Sequence, residues 1–229
     1  MGNICCSEKE GVEVAEGAEV YPVDLETDKD ERFASNAINL KSFRVERLLG
    51  KGAFGKVLLV SKLDSGKLFA MKVISKTKLK SQKQKTHALA ERRILERVHS
   101  PFVVSLHFAF QNASKLYMVL DFMKGGELFY HMRHLGRFSE DRARFYAAEV
   151  LLAFEALHSK RIIYRDLKPE NVLLDELGHI KLADFNLSKM AEGNIMRTYT
   201  FCGTPEYISP EVLRGEPQSK AVDFWSLVC

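Results

Sequence analysis

Three glycines, Gly50, Gly52 and Gly55, punctuate the stretch LLGKGAFGKVLLV, and both flanks are apolar and strand-like. Glycine lets backbone amides approach phosphate oxygens closely and tolerates φ > 0. Several phosphate-binding folds share this G-x-G-x-x-G spacing, and the residues after the third glycine decide among them. A dinucleotide-binding crossover needs a helix there, whereas KVLLVSK reads as a strand. A Walker loop needs Gly-Lys-Ser or Gly-Lys-Thr at its end, and the stretch has neither. Taken alone, the motif reads equally well as a glycine-punctuated hairpin.

The surrounding periodicity extends this picture. FRVERLLG alternates, KLFAMKVIS is a second apolar run, and Asp64-Ser65-Gly66 marks a turn between strands. KTHALAERRILERV has helical spacing at Leu89, Ile94 and Val98, and SKLYMVLDFM is strand-like again. After Gly126 the period becomes helical. Ser139 suits an N-cap, with Glu140 and Asp141 at the positive end of the helix dipole. Tyr146, Val150, Phe154 and Leu157 then form an apolar stripe that reads as core, and KAVDFWSLVC opens another helix. The order of elements predicts an α+β chain: a small β-sheet lobe with one helix over 43–123, then a mostly helical lobe over 124–229.

Charge is distributed unevenly. Residues 1–31 carry ten acids against two lysines, a net of −8, so the rest carries +12 of the chain's overall +4. Residues 1–36 read as an acidic, disordered leader. The basic remainder suits anionic ligands without choosing among them. Cys5 and Cys6 are adjacent, Cys202 and Cys229 stand alone, and no pair has metal-ligand spacing. With no apolar leader and no long apolar run, the expected location is cytoplasmic.

Chemistry gathers at a few positions. Lys72 lies inside an apolar strand, where a charge is costly unless paired, and Glu91 on the following helix is a candidate partner. Asp166, Lys168 and Asn171 crowd one short loop in IIYRDLKPENVLLD, and Asp184 follows in KLADFN. A carboxylate and a carboxamide suit Mg²⁺, a hard ion that prefers oxygen ligands.

Together GKGAFGKV, FAMK, Glu91, YRDLKPEN, DFN and SPE resemble the signature set of the protein kinase family, in its order, across residues 43–229. YRDLKPEN is similar to the serine/threonine class, and GGELF and TFCGTPEY resemble the AGC group. The resemblance implies a bilobal fold, ATP and Mg²⁺ as substrate and cofactor, and protein rather than nucleic-acid partners. It implies that Gly50, Lys51, Gly52, Ala53, Phe54 and Gly55 cover the ATP phosphates and that Lys72, paired to Glu91, holds two of them. Val57, Ala70 and Leu173 would sandwich adenine, with Leu120 at the gatekeeper position and Asp121, Met123 and Glu127 lining the same site. Asp184 and Asn171 would ligate Mg²⁺. Asp166 would orient the attacking hydroxyl, and Lys168 would sit near the transferring phosphoryl group. Leu95, Leu106, Tyr164 and Phe185 would stack as a hydrophobic spine.

For regulation, the resemblance implies that an upstream kinase phosphorylates Thr200, with Arg165 and His87 as partners of the added charge. Thr204 would face the substrate, and Glu127 and Glu170 would pair with substrate arginines. At the amino terminus, Gly2 fits N-myristoylation and Cys5 and Cys6 fit palmitoylation, although Cys6 stands where Ser or Thr is preferred. Such a chain would associate with membrane.

Two positions depart from the family. Asn186 replaces the glycine after Asp184-Phe185; asparagine tolerates φ > 0, so the turn is expected to survive with less freedom to rearrange. DFWSL begins a long buried helix in the family, with Asp223 bracing the catalytic loop. The large lobe is therefore expected to be incomplete, and the helix at 139–160 to expose apolar surface. A second reading stays open: a catalytically inactive fragment that binds nucleotide or a partner.

Overall fold

In the computed structural model, which describes residues 38–52, 55–191 and 198–229, the four strand-like runs and a fifth strand over Leu106–Gln111, missed in the sequence, pair as one antiparallel sheet. Its strands are β1 (Phe43–Lys51), β2 (Gly55–Lys62), β3 (Leu68–Ser75), β4 (Leu106–Gln111) and β5 (Lys115–Asp121), in the order β1-β2-β3-β5-β4. The leader over 1–36, with Gly2, Cys5 and Cys6, lies outside the described residues, as do Ala53 and Phe54 of the glycine loop. The chain divides into two compact units: Met1–Gln82 with Leu106–Phe122, and Lys83–Ser105 with Met123–Cys229.

Register decides what each face of the sheet carries. Residues directly opposite one another across antiparallel strands share a face, and the side alternates at every residue. Leu58 opposes Met71 and Met71 opposes Val119, so this face packs as core with Val60, Phe69, Val73 and Tyr117. Phe43 joins it from β1, edge-on to Phe69 at 6.5 Å between ring centroids. The opposite face presents Val57 against Lys72, Lys72 against Met118, and Ala70 against Leu120. Val57, Ala70, Lys72 and Leu120 are only half-buried. On that same face Leu59, Ile74 and Met118 are buried, so the half-buried residues form a patch within it and not the whole face.

In the second unit α1 (Gln82–Arg97) buries Ala88, Glu91, Ile94 and Leu95, with Val98 just past its end. Leu89, expected on that face, is 49% exposed. One residue advances about 100° around a helix, which puts Leu89 beside the buried stripe and Ala88 within it.

The β6 strand (Gly126–Glu127) leads into α2 (Leu128–Leu135) and α3 (Glu140–Ser159). Ser139 caps α3 as expected, its Oγ accepting from the Arg142 amide at 3.3 Å. Val150, Ala153, Phe154 and Leu157 are buried on α3, with Tyr146 half-buried. The mostly helical expectation missed the short strands β7 (Ile162–Ile163), β8 (Val172–Leu174) and β10 (Lys189–Met190), whereas β9 (Ile180–Leu182) lies in the apolar, strand-like run before Asp184. These form the small sheets β6-β8-β9 and β10-β7. Runs of two or three residues are too short for a period of two to show in sequence. The chain continues through α4 (Pro210–Leu213) to α5 (Ala221–Val228). Along α3 a groove of about 710 Å³ is lined by Ala148, Leu151, Leu152 and Phe224 together with Glu155, His158 and Lys220. Among the described residues no helix is long and apolar enough to cross a membrane.

Candidate active site

The loop between β7 and β8 is built around one buried carboxylate that is not itself in the loop. Asp223, in the first turn of α5, is fully buried. Its Oδ2 accepts from the Tyr164 amide at 3.0 Å, and its Oδ1 accepts from the Arg165 amide at 2.7 Å. His158 Nε2 completes the set at 2.7 Å from Oδ2. A buried charge needs such partners, and each bond to it is worth more than a neutral one. The brace holds Arg165 at φ 67°, a left-handed conformation that non-glycine residues adopt only when the surroundings enforce it.

Beyond that kink the loop brings the expected catalytic residues together. Asp166 and Asn171 are buried. Thr204 Oγ1 donates to Asp166 Oδ1 at 2.7 Å, and Lys168 Nζ donates to Thr204 Oγ1 at 3.0 Å. Lys168 Nζ also lies 3.4 Å from Asp166 Oδ2. Asn171 spends its amide nitrogen on Asp166, donating to the backbone oxygen at 2.8 Å and to Oδ2 at 2.9 Å. The other end of the carboxamide is an oxygen with acceptor capacity only. The loop therefore offers a fixed carboxylate, an ammonium and an oriented carbonyl oxygen within one constellation.

Asp184 follows β9. The Ala183 amide donates to Asn171 O at 2.9 Å, and Tyr164 Oη donates to Ala183 O. Phe185 is buried edge-on against Tyr164, ring centroids 5.2 Å apart. The left-handed residue of this turn is Asp184, at φ 55°, and not Asn186. Asparagine was expected to let the turn survive through its tolerance of φ > 0, but the turn makes that demand two residues earlier. Asn186 instead donates from Nδ2 to Asp184 Oδ1 at 2.5 Å. One exposed carboxylate and one aimed carboxamide oxygen fit Mg²⁺, which keeps several water or phosphate ligands of its own. A site of three or more clustered His, Cys, Asp or Glu side chains does not occur among the described residues.

In the first unit the half-buried patch described above carries Val57, Ala70, Lys72 and Leu120. Gly50 opposes Val57, Lys51 opposes Lys56, and the Gly52 amide donates to Gly55 O at 2.9 Å, closing the glycine turn. Gly55 has a steric reason to be glycine: a Cβ there would meet Val73 O at 1.8 Å. At the end of β5, Asp121 Oδ1 is 2.7 Å from His107 Nε2. In the second unit Met123 is buried, and Glu127 opposes Leu173 across β6 and β8. Lys72 belongs to the first unit and Glu91 to the second, where Glu91 is buried on α1.

Two further groups surround the loop. Glu127 has its pKa raised by burial and then by the neighbouring charge of Glu170, whose buried Oε2 has no hydrogen-bond partner among the described residues. Two carboxylates in that state favour a cation between them. Near Thr200, the Arg165 guanidinium donates from Nε to Leu187 O at 2.8 Å and reaches Thr198 Oγ1 at 3.5 Å. Burial pulls the Arg165 pKa down from the usual arginine value. Gln218 Nε2 donates to Thr200 O at 3.0 Å. Leu95, Tyr164 and Phe185 are buried in the second unit, Leu106 half-buried in the first, and His87 half-buried on α1.

Several residues at the site escaped the sequence reading. Thr198 is buried and exchanges both backbone hydrogen bonds with Gln218, at 3.1 and 2.8 Å. Glu149 on α3 is buried, accepting from the Ile180 amide at 2.8 Å and facing His179 Nδ1 at 2.6 Å, which ties β9 to the helix. An acid and a histidine about thirty positions apart carry no local signal. His158, next to the last apolar residue of the α3 stripe, is the one that helical spacing could have flagged.

Against known proteins, the family model described as "Protein kinase domain" matches residues 43–229. The chain is 51% identical over 191 residues to serine/threonine protein kinase ypkA of Aspergillus fumigatus, covering 83% of this chain and 30% of that protein. It is 52% identical over 190 residues to serine/threonine-protein kinase YPK2/YKR2 of Saccharomyces cerevisiae (83% and 28%). It is 54% identical over 185 residues to Protein kinase 2 of Dictyostelium discoideum (81% and 38%). The chain thus spans 28 to 38% of the length of these relatives. With the catalytic loop, the Asp184 turn and the glycine turn all in their motif positions, the chain belongs to the protein kinase family, in its serine/threonine class and AGC group.

Proposed function

We propose that the chain transfers the γ-phosphoryl group of ATP to serine or threonine hydroxyls of proteins. The observation that carries this is the constellation of Asp166, Lys168, Asn171 and Thr204 on a loop braced by Asp223. Asp166 orients the incoming hydroxyl and accepts its proton; its two oxygens are now held by Thr204 and Asn171, so its direction is fixed before substrate arrives. Lys168 places positive charge beside the transferring group. Lys72 and the glycine turn hold the nucleotide phosphates. Within the first unit, Val57, Ala70, Leu120 and Asp121 offer a half-buried surface for the adenine. Asn171 and Asp184 hold Mg²⁺, which supplies charge neutralisation on the phosphate oxygens.

Glu127 and Glu170 supply the preference for arginine upstream of the target residue, supported by the raised pKa of one and the unpartnered buried oxygen of the other. An upstream kinase switches the enzyme on at Thr200, one hydroxyl removed from the Arg165 guanidinium through Thr198. Acylation at Gly2, Cys5 and Cys6 anchors the protein to a membrane; one myristoyl chain binds only marginally, so the cysteines have to be acylated too.

Phosphate transfer from ATP to an arginine-rich peptide by the purified 229-residue chain, lost in Asp166→Asn, is the expected result. Stabilisation by nucleotide without any turnover would replace this proposal with a binding-only role.

A further inference from the structure

Asp184 sits in an unfavourable backbone conformation at an exposed position, and something must hold its carboxylate there. Its φ of 55° is left-handed, which for a residue with a Cβ is costly. The residue after it, Phe185, is buried against Tyr164. The side chain two positions on closes the turn: Asn186 Nδ2 lies 2.5 Å from Asp184 Oδ1. The direction of this bond is fixed by chemistry, because an ionised carboxylate only accepts and the carboxamide nitrogen only donates. A short ring therefore spans the buried Phe185, from the carboxylate on one side to the amide on the other.

We propose that Asn186 is a positioning residue for the metal-binding carboxylate. Its amide fixes the Asp184 side chain in one orientation before the divalent ion arrives. The same bond biases the turn towards the state with Phe185 buried. Glycine at this position cannot supply the bond, and alanine keeps the Cβ but not the donor, so the two substitutions separate hydrogen bonding from backbone freedom. The inference rests on the kinase reading of Asp184 as a metal ligand.

The test uses Mn²⁺ in place of Mg²⁺, with free Mn²⁺ counted by electron paramagnetic resonance in the presence of a non-hydrolysable ATP analogue. The proteins are the 229-residue chain and its Asn186→Ala, Asn186→Gly and Asp184→Ala forms. Asn186→Ala is expected to weaken Mn²⁺ binding about three- to tenfold, the range that follows from losing one ordinary hydrogen bond at an exposed position. Asn186→Gly should weaken it at least as much. Both variants should also bind, more tightly than the parent, a ligand that requires Phe185 to leave its pocket. Unchanged or tighter Mn²⁺ binding in Asn186→Ala overturns the proposal, since the amide would then be idle or a competitor of the ion. If Asp184→Ala also binds Mn²⁺ like the parent, the kinase reading of Asp184 is what fails.

Discussion

Replacing Asp223 by alanine removes the one carboxylate on which the catalytic loop's backbone rests. Three groups lose their acceptor: the amides of Tyr164 and Arg165, at 3.0 and 2.7 Å, and the His158 ring at 2.7 Å. Asp223 and Tyr164 are fully buried, so water cannot replace the lost bonds without opening the packing. Removing one member of a buried, hydrogen-bonded charged set costs about 3–5 kcal/mol, a large part of the roughly 5–15 kcal/mol that holds a domain together. Trp225, the sole tryptophan, stands two residues from Asp223 and reports the second unit directly. In urea the fluorescence midpoint should fall by about 1.5–2.5 M at a slope near 2 kcal/mol/M. Asp223→Asn keeps the volume and one acceptor, so its midpoint should lie between those of Asp223→Ala and the parent. A midpoint shift below about 0.5 M for Asp223→Ala, at unchanged slope, would refute the brace.

Other perturbations follow from the same geometry. His179 has its pKa raised above its ordinary 6.5, first by the hydrogen bond to Glu149 and then by that carboxylate's charge. Its folded-state pKa exceeds the unfolded one, so its contribution is complete below about pH 6.5 and is lost as pH rises through the folded value; His179→Gln should flatten the pH dependence of stability over that window in denaturation curves. Gly55→Ala should destabilise the sheet by about 1–3 kcal/mol in thermal unfolding, since its Cβ would overlap Val73 O; a neutral result would mean that β2 and β3 separate there easily. Lowering the pH should raise KM for an arginine peptide as Glu127, its pKa lifted by burial and by Glu170, takes up a proton; Glu127→Gln should have a high, pH-independent KM, and a dependence that persists in the variant would assign it elsewhere.

Four strands of the five-stranded sheet, β1, β2, β3 and β5, were legible as alternating or apolar runs, which are local properties, whereas β4 was not; the face that β-pairing buries follows by register. Ser139 capped its helix as read, because a cap is chemistry within four residues. Motif order alone named the family, since Lys72, Asp166, Asn171 and Asp184 appear in a fixed succession. Leu89 was misplaced by one helical position, and the short strands β7, β8 and β10 were invisible, being shorter than any period that could reveal them.

The tertiary structure decided the rest, and always by joining residues that are distant in sequence or by imposing backbone angles. Glu149 finds Ile180 and His179, and Asp223 finds His158, because packing carries each acid to donors that its own helix cannot supply. Asp184, not Asn186, takes the left-handed angle, because the backbone must turn where Phe185 enters the core. Propensity and period are written residue by residue, so the sequence by itself settles elements and their chemistry. A buried charge is tolerated only where folding delivers its partner, and that delivery depends on the packing of the whole unit.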